Sequence, residues 1–298
     1  MPARSLIIDC DPGLDDAVAI ALAASSSTLN LRAITTVAGN AGVDLTTRNA
    51  TATVAALGLD VPVFSGCAQP LVLPLRTSVM LWGGTGDLGL PRRGQAGKGH
   101  AVAHLIDVLE RARGSTMTIC PIGPLTNIAV LFAMRPDLKP RIRELVVMGG
   151  GFGRGNATPH AELNIWVDPH AAQAVFASGV PVVLAPLDIT EPLQVTKAVI
   201  AELATKDSTA ARLVARLMPL AGKASHPAAI YDAAAVAYLL WPEIFKAERG
   251  TISVELADGA RQGETRFTSG RLGVHWRLTG IDKSAFFARF VAALTNGR

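Results

Sequence analysis

The sequence predicts an α/β fold, an open, doubly wound and mostly parallel sheet with its site at the carboxyl ends of the strands. Three observations predict it. Short β-branched runs that read as buried strands alternate with longer stretches carrying apolar residues at helical spacing. That alternation is the signature of successive strand–helix–strand crossovers, which force neighbouring strands to run parallel. Four carboxylates crowd the end of the first run, the place where such sheets bind ligands.

Taken in order, the strands are expected at Leu6 to Cys10, Leu31 to Val37, Val61 to Phe64, Thr116 to Cys120, Leu145 to Met148 and Val180 to Leu184. The helices between them are expected at Asp15 to Ala24, Asp44 to Leu57, Ala101 to Ala112, Leu125 to Ala133 and Pro169 to Ala177. Three stretches break the alternation and read as binding loops or lids: Gly66 to Gly99, Gly149 to Pro159, and Pro219 to Ala229 with His226 inside it. An apolar helix then runs through Leu240. Shorter strands follow near Thr251 to Leu256, Glu264 to Phe267 and Gly273 to Leu278, before a final helix from Lys283 to Leu294. No Ser/Pro/Gly tract or charge run is long enough to be a linker, so residues 1–298 read as a single domain.

Composition excludes several classes. The 28 basic and 24 acidic residues are scattered, with no basic stripe interleaved with aromatics, which argues against nucleic acid as a partner. No apolar run approaches the roughly 18 residues of a membrane span, and no secretory leader precedes the first strand, so no membrane partner is expected. Cys10, Cys67 and Cys120 are odd in number and lack metal-ligand spacing, which fits a reducing, cytoplasmic location. The glycine run from Gly149 to Gly155 fits neither a dinucleotide fingerprint nor a phosphate loop, and H-E-x-x-H, C-x-x-C and G-x-S-x-G are all missing from the sequence.

The strongest local signal is Ile7-Ile8-Asp9-Cys10-Asp11-Pro12-Gly13-Leu14-Asp15-Asp16-Ala17. Like charges this close and partly desolvated stay ionised only if a cation compensates them; otherwise some become protonated. Oxygen ligands without nearby His or Cys favour calcium or magnesium over zinc. The plainer reading is N-capping plus surface turn acids. Asp-x-Asp after a first strand also looks like the signature of haloacid-dehalogenase-type phosphatases, but Gly13 stands where that family expects Thr or Val, and Asp15 and Asp16 find no use there.

Residues Asp9 to Ala17 also resemble, residue for residue, the N-terminal signature of the nucleoside hydrolases. The resemblance continues through Ile34-Thr35-Thr36-Val37-Ala38-Gly39-Asn40, Thr47-Arg48-Asn49-Ala50, Gly123-Pro124-Leu125-Thr126-Asn127-Ile128-Ala129 and Met148-Gly149-Gly150-Gly151. It then covers Gly155-Asn156-Ala157-Thr158, Ala161-Glu162-Leu163-Asn164, Asp168-Pro169 and Asp232-Ala233. It implies a Rossmann-like sheet, calcium-dependent cleavage of the N-glycosidic bond of ribonucleosides to free base and ribose, and a homo-oligomer, dimer or tetramer. By the same resemblance Asp11, Asp16 and Asp232 would hold Ca2+ with their side chains and Ile122 with its backbone carbonyl. Asp11 would deprotonate a water in the calcium shell for attack on the ribose. Asp15, Asn40, Asn156, Glu162 and Asn164 match the ribose-binding positions.

Members that prefer inosine and uridine carry a His in the loop after the third strand and another just before the last calcium-binding Asp. This chain departs at both places, with Trp82 and Tyr231 there instead. Paired aromatics resemble the purine-specific branch, so the expected substrate is a purine nucleoside stacked between rings, which favours the larger bicyclic surface. The plainer alternative makes Trp82 a packing residue of a lid and Tyr231 a helix residue. His226 is a candidate proton donor. Alternatives to be tested are a broad or pyrimidine-preferring hydrolase, a nucleoside-binding protein without turnover, and the phosphatase.

Overall fold

The computed structural model describes residues 3–114, 116–221 and 229–296, and the backbone alone of Trp82 and Ala221. Strand β1 (Arg4–Cys10) leads into helix α1 (Leu14–Ala24), followed by β2 (Leu29–Thr36), α2 (Val43–Ala56), β3 (Val63–Ser65) and the short α3 (Ser78–Trp82). The chain continues through α4 (Ala101–Arg111), β4 (Met117–Pro121), α5 (Thr126–Met134), β5 (Ile142–Met148), α6 (Leu163–Val167), α7 (Pro169–Phe176) and β6 (Val182–Ala185). Helices α8 (Leu187–Thr190), α9 (Lys197–Ala204), α10 (Thr209–Ala221) and α11 (Ala233–Leu240) come next. The antiparallel strands β7 (Phe245–Val254) and β8 (Thr265–Ser269), then β9 (His275–Ile281) and α12 (Lys283–Asn296), close the chain.

The nine strands form one sheet in the order β3-β2-β1-β4-β5-β6-β9-β7-β8. All pairs from β3 across to β9 are parallel, and β7 pairs antiparallel with both β9 and β8. This is the expected doubly wound, mostly parallel sheet. Its strand order reverses at β1, where β2 lies on one side and β4 on the other; a crevice therefore opens beyond the carboxyl end of β1. Asp9 sits there in register with Thr35 of β2 and Pro121 of β4.

Alternation along β1 explains why its run is apolar throughout. Leu6, Ile8 and Cys10 point into the core on one face, with Val18, Leu22, Val214, Val236 and Phe290. Ile7 points into the other, with Leu105, Ile128, Val147 and Val175. Both faces are covered, so a strand of period two buries every side chain. Fully burying one such residue contributes about 1.5–3 kcal/mol. In α11 the sequence Ala233-Ala234-Ala235-Val236-Ala237 is buried all round, and small side chains let its backbone lie close to α1.

The expected elements through β6 recur with boundary shifts of a few residues. The expected loop from Gly66 to Gly99 contains α3, started by the Thr77 hydroxyl accepting from the Met80 N–H at 3.1 Å. The expected loop from Pro219 to Ala229 begins inside α10, which runs to Ala221 with Pro219 in its last turn; residues 222–228, His226 among them, lie outside the described residues. β7 begins at Phe245 rather than near Thr251, because its first half is paired with β9 although its side chains are mostly exposed. Among the described residues no helix is long and apolar enough to cross a membrane. All three cysteines are free, with Cys10 and Cys120 buried in strands as expected.

Candidate active site

The floor of the site is built where β1 turns into α1. Asp16 occupies the third position of α1 and reaches back, its carboxylate accepting from the Gly13 N–H at 2.8 Å and the Asp11 N–H at 3.2 Å. These amides belong to the unsatisfied donors of a helix start, where a carboxylate is favourably placed. Asp11 lies one residue beyond β1 and is held from the neighbouring strands. Its Oδ2 accepts from the Asn40 N–H at 2.6 Å, and the Asn40 side-chain amide donates to the Asp11 carbonyl at 3.1 Å and to Asp16 Oδ2 at 3.3 Å.

Two glycines make this seating possible. A Cβ on Gly39 would stand 2.2 Å from Asp11 Oδ2, and one on Gly123 would stand 2.6 Å from Asp11 Oδ1. Neither fits, so the loops after β2 and β4 approach Asp11 as bare backbone. Asp9 lies one layer below. Its Oδ1 accepts from Thr35 Oγ1 at 2.5 Å and Asn127 Nδ2 at 2.7 Å, while its Oδ2 has no hydrogen-bond partner.

Asp232 enters from the far side, as the residue that starts α11. Carboxylate oxygens of Asp15, Asp16 and Asp232 lie within 4.8 Å of one another. Asp11 adjoins this group: its largest charge interaction is with Asp16, and its field is felt at Asp232. The electrostatics are those of crowded acids out of water. Burial pushes Asp16 up to about 7, with Asp15 adding to it, and pushes Asp15 up to about 6. Asp11 and Asp232 are driven well above the carboxylate range, first by burial and then by the neighbouring acids. No basic side chain figures among the main influences on any of the four.

This is the environment a hard divalent cation would relieve. The donors are all oxygens, and Asp11 Oδ1 is buried without a hydrogen-bond partner. The Ile122 carbonyl lines the same space and accepts from Asn164 Nδ2 at 3.0 Å, which leaves it a second lone pair. The residues present fit a calcium-type ion.

Above the acids lies a cavity of about 600 Å3, within the range of a small-molecule site. Asp11, Asp15, Asn40, Ile122, Asn156, Glu162, Asn164, Tyr231 and Asp232 all line it; Asp16 lies beneath. Glu162 starts α6, and its carboxylate accepts from the N–H groups of Asn164 at 2.9 Å, Gly150 at 3.0 Å and Ile165 at 3.2 Å. Burial still pushes it up to about 7 against those three bonds. Asn156 Oδ1 accepts from the Leu163 N–H at 2.9 Å, which ties the glycine-rich loop to α6. Tyr231 is half-buried, and burial with the nearby Asp15 and Glu162 pushes its phenol up to about 12. The Trp82 backbone ends α3, next to cavity-lining Gly83; its side chain is outside the described part, as is His226.

Sequence reasoning gave no role to several residues that hold the site, although Asn49 and Asp168 fall within the resembling segments. Asn49 donates to the carbonyls of Pro12 at 2.8 Å and Gly86 at 2.7 Å, joining the acid turn to the loop above it. Asp168 accepts from Thr126 Oγ1 at 2.8 Å and the Leu71 and Ala171 N–H groups, tying α5, α7 and the long loop together. Glu191 lines the cavity and pairs with Arg154. Its sequence neighbourhood carried no motif.

An acid floor under a small-molecule cavity, at the switch point of a parallel sheet, marks the ligand site of an α/β protein. The comparisons give the class its name. A plant nucleoside hydrolase, PpNRh1, has the same fold with a TM-score of 0.89 and 27% identity, covering 99% of both chains. The purine-preferring ribonucleoside hydrolase from Gardnerella vaginalis matches with a TM-score of 0.87 and 27% identity over 98% of both chains. In sequence, the pyrimidine-specific ribonucleoside hydrolase RihB of Escherichia coli O157:H7 is 39% identical over 279 residues, 89% of this chain and 87% of the relative. The profile of the inosine-uridine preferring nucleoside hydrolases matches residues 6–288, and the chain belongs to that family. It is a hydrolase acting on the N-glycosyl bonds of ribonucleosides. Membership leaves no place for the phosphatase reading of Asp9 and Asp11.

Proposed function

We propose that the chain cleaves purine ribonucleosides to free base and ribose in a calcium-dependent reaction, with Asp11 as the general base. The observation that carries this is the state of Asp11 Oδ1: buried, without a hydrogen-bond partner, and clamped between the backbones of Gly39 and Gly123 beneath the cavity. Asp11, Asp16, Asp232 and the Ile122 carbonyl would hold the ion; Asp16 and Asp232 form a close carboxylate group with Asp15, and Asp11 adjoins it. A calcium ion held there supplies Lewis acidity to a water molecule and cancels the mutual repulsion of the acids.

Asp11 would take the proton from the attacking water as the water oxygen adds to C1′ of the ribose. The C1′–N bond breaks, its electron pair leaves with the base, which takes up a proton from solvent or the one Asp11 has gained, and positive charge builds on the ribose ring in the transition state. The carboxylates of Asp15 and Glu162 face that developing charge, stabilising it more in the transition state than before it. Asn40, Asn156, Asn164, Asp15 and Glu162, which line the cavity, would bind the ribose hydroxyls. Tyr231, with Trp82 opposite in the sequence reading, would stack on the base. The one sheet that runs from β3 to β8 supports a single domain over residues 1–298. A dimer or tetramer in the cytoplasm completes the proposal, on the family resemblance and three free thiols; a single-chain mass by sedimentation would remove the oligomer.

Purine preference is supported by Tyr231 in the cavity and by the purine preference of the Gardnerella vaginalis relative. A pyrimidine preference is the second reading, favoured by the 39% identity to RihB, whose name is pyrimidine-specific. Ribose release from inosine and uridine, with and without chelator, tests both. Higher kcat/KM on inosine, lost with chelator, is expected. Equal or higher efficiency on uridine removes the purine reading, and turnover that survives chelation removes the calcium.

A further inference from the structure

The cavity has an uneven charge. Asp11, Asp15, Asp87, Glu162, Glu191 and Asp232 all line it, and among the described residues no lining side chain is basic. Two arginines reach its rim, and each is paired with one of those acids. Arg48 stands 3.9 Å from Asp87, and Arg154 pairs with Glu191. Arg154 lies on the glycine-rich loop two residues before Asn156, with its side chain more than half exposed, and its positive charge is felt at Tyr231. Oε2 of Glu191 is buried without a hydrogen-bond partner, and the Arg154 guanidinium is its ion-pair partner.

A structural latch would be the plain role of such a pair, but the loop is already fastened to α8 without it. The Leu187 N–H donates to the Gly150 carbonyl at 2.9 Å and the Phe152 N–H to Asp188 Oδ2 at 2.9 Å. What the pair does change is the charge presented to a ligand. With Glu191 ionised, Arg154 and Glu191 together present a neutral ion pair, and the remaining acids set the sign of the field. An uncharged nucleoside enters such a field at no electrostatic penalty. A phosphate monoester, carrying about −1.5 to −2 at pH 7, is repelled.

We propose that the Arg154–Glu191 pair is a charge filter, a specificity element that confines the cavity to uncharged ribosides and shuts out nucleoside 5′-monophosphates. The inference rests on the nucleosidase reading above and adds the discrimination against phosphorylated substrates. Glu191 can be neutralised without touching the floor, and doing so frees a guanidinium suited to a phosphate.

The test measures kcat/KM for inosine, uridine and their 5′-monophosphates with the full chain and calcium, in the native protein, Glu191→Gln, Arg154→Gln and the double variant. In Glu191→Gln the monophosphate-to-nucleoside ratio should rise about tenfold at low ionic strength, and the rise should shrink as salt is added. The rise should vanish in the double variant, because it needs the freed Arg154. Arg154→Gln alone should push the ratio below that of the native protein, which keeps the idea testable if Glu191→Gln folds poorly. An unchanged ratio in Glu191→Gln, or a rise that persists without Arg154, overturns the filter while nucleoside turnover by the native protein leaves the nucleosidase reading standing. No ribose from either nucleoside with the native protein overturns both.

Discussion

The floor and the rim of the cavity are built on different principles. The floor is saturated backbone and buried acid: Asp11, Asp16 and Asp9 are fixed by Asn40, Gly13, Thr35 and Asn127, and all three carboxylates are buried. The rim is made of side chains on short or irregular segments, with Ser78 and Val79 on α3 and Arg154 more than half exposed on its loop. Fixed, desolvated charge suits bond cleavage, which needs one geometry. Exposed side chains on loops can change without disturbing it, and they suit the choice of base. Relatives of both purine and pyrimidine specificity on one fold agree with this division.

The division breaks first at Asp11. Asp11→Asn keeps the size of the group and its bond from the Asn40 N–H, and removes the base. Turnover should fall by about a thousandfold or more, with the unfolding transition retained, since general base catalysis and ion ligation are lost together. Steady-state ribose release with a thermal melt checks it. A fall of less than tenfold would move the base elsewhere.

Gly123→Ala tests how finely the floor is set. The new Cβ would lie 2.6 Å from Asp11 Oδ1, so the carboxylate or the β4 loop must move. A drop in kcat of about a hundredfold is expected, since a misplacement near 1 Å at the chemistry costs about that much. The rim gives a smaller and different response. Tyr231→Ala should raise KM for inosine about tenfold through lost stacking, while Tyr231→Phe stays within about twofold. A kcat loss in Tyr231→Phe would place the hydroxyl in the chemistry rather than at the base.

Stability against pH gives the smallest effect, and one with a definite sign. Asp9, Asp16 and Glu162 have folded-state values of about 7, above their ordinary 3.8 to 4.5. The folded chain therefore holds more protons than the unfolded one in that window. Stability is fully present below about pH 4 and is lost as pH rises through about 7. The chelated protein should melt several degrees lower at pH 8 than at pH 5.5, and calcium should close most of that gap at pH 8. A melt that rises with pH under chelation would mean that the acids are compensated by something else.

Much of the floor was legible in the sequence, because burial on both faces makes a strand such as Leu6 to Cys10 apolar throughout and four acids at its end can have few structural uses. The rim was harder to read. Helices α8 to α10 carry no expectation before the structure; α9 is mostly exposed, so packing leaves little imprint on its pattern. The roles of Gly39 and Gly123 depend on how closely two other loops approach Asp11, which no local spacing encodes. Glu191 reads as a lone surface acid until Arg154, on a distant loop, is seen beside it. The early start of β7 was hidden because a strand half exposed to solvent is patterned by water as much as by the core.

The most direct measurement is a calorimetric titration of calcium into the chelated protein near pH 7, repeated in buffers of different ionisation enthalpy and with Asp232→Asn. One ion per chain should bind with release of protons, since acids held partly protonated by burial must ionise to receive it, and Asp232→Asn should abolish the event. No binding, or binding that keeps its affinity and proton release in Asp232→Asn, would contradict the account of the floor.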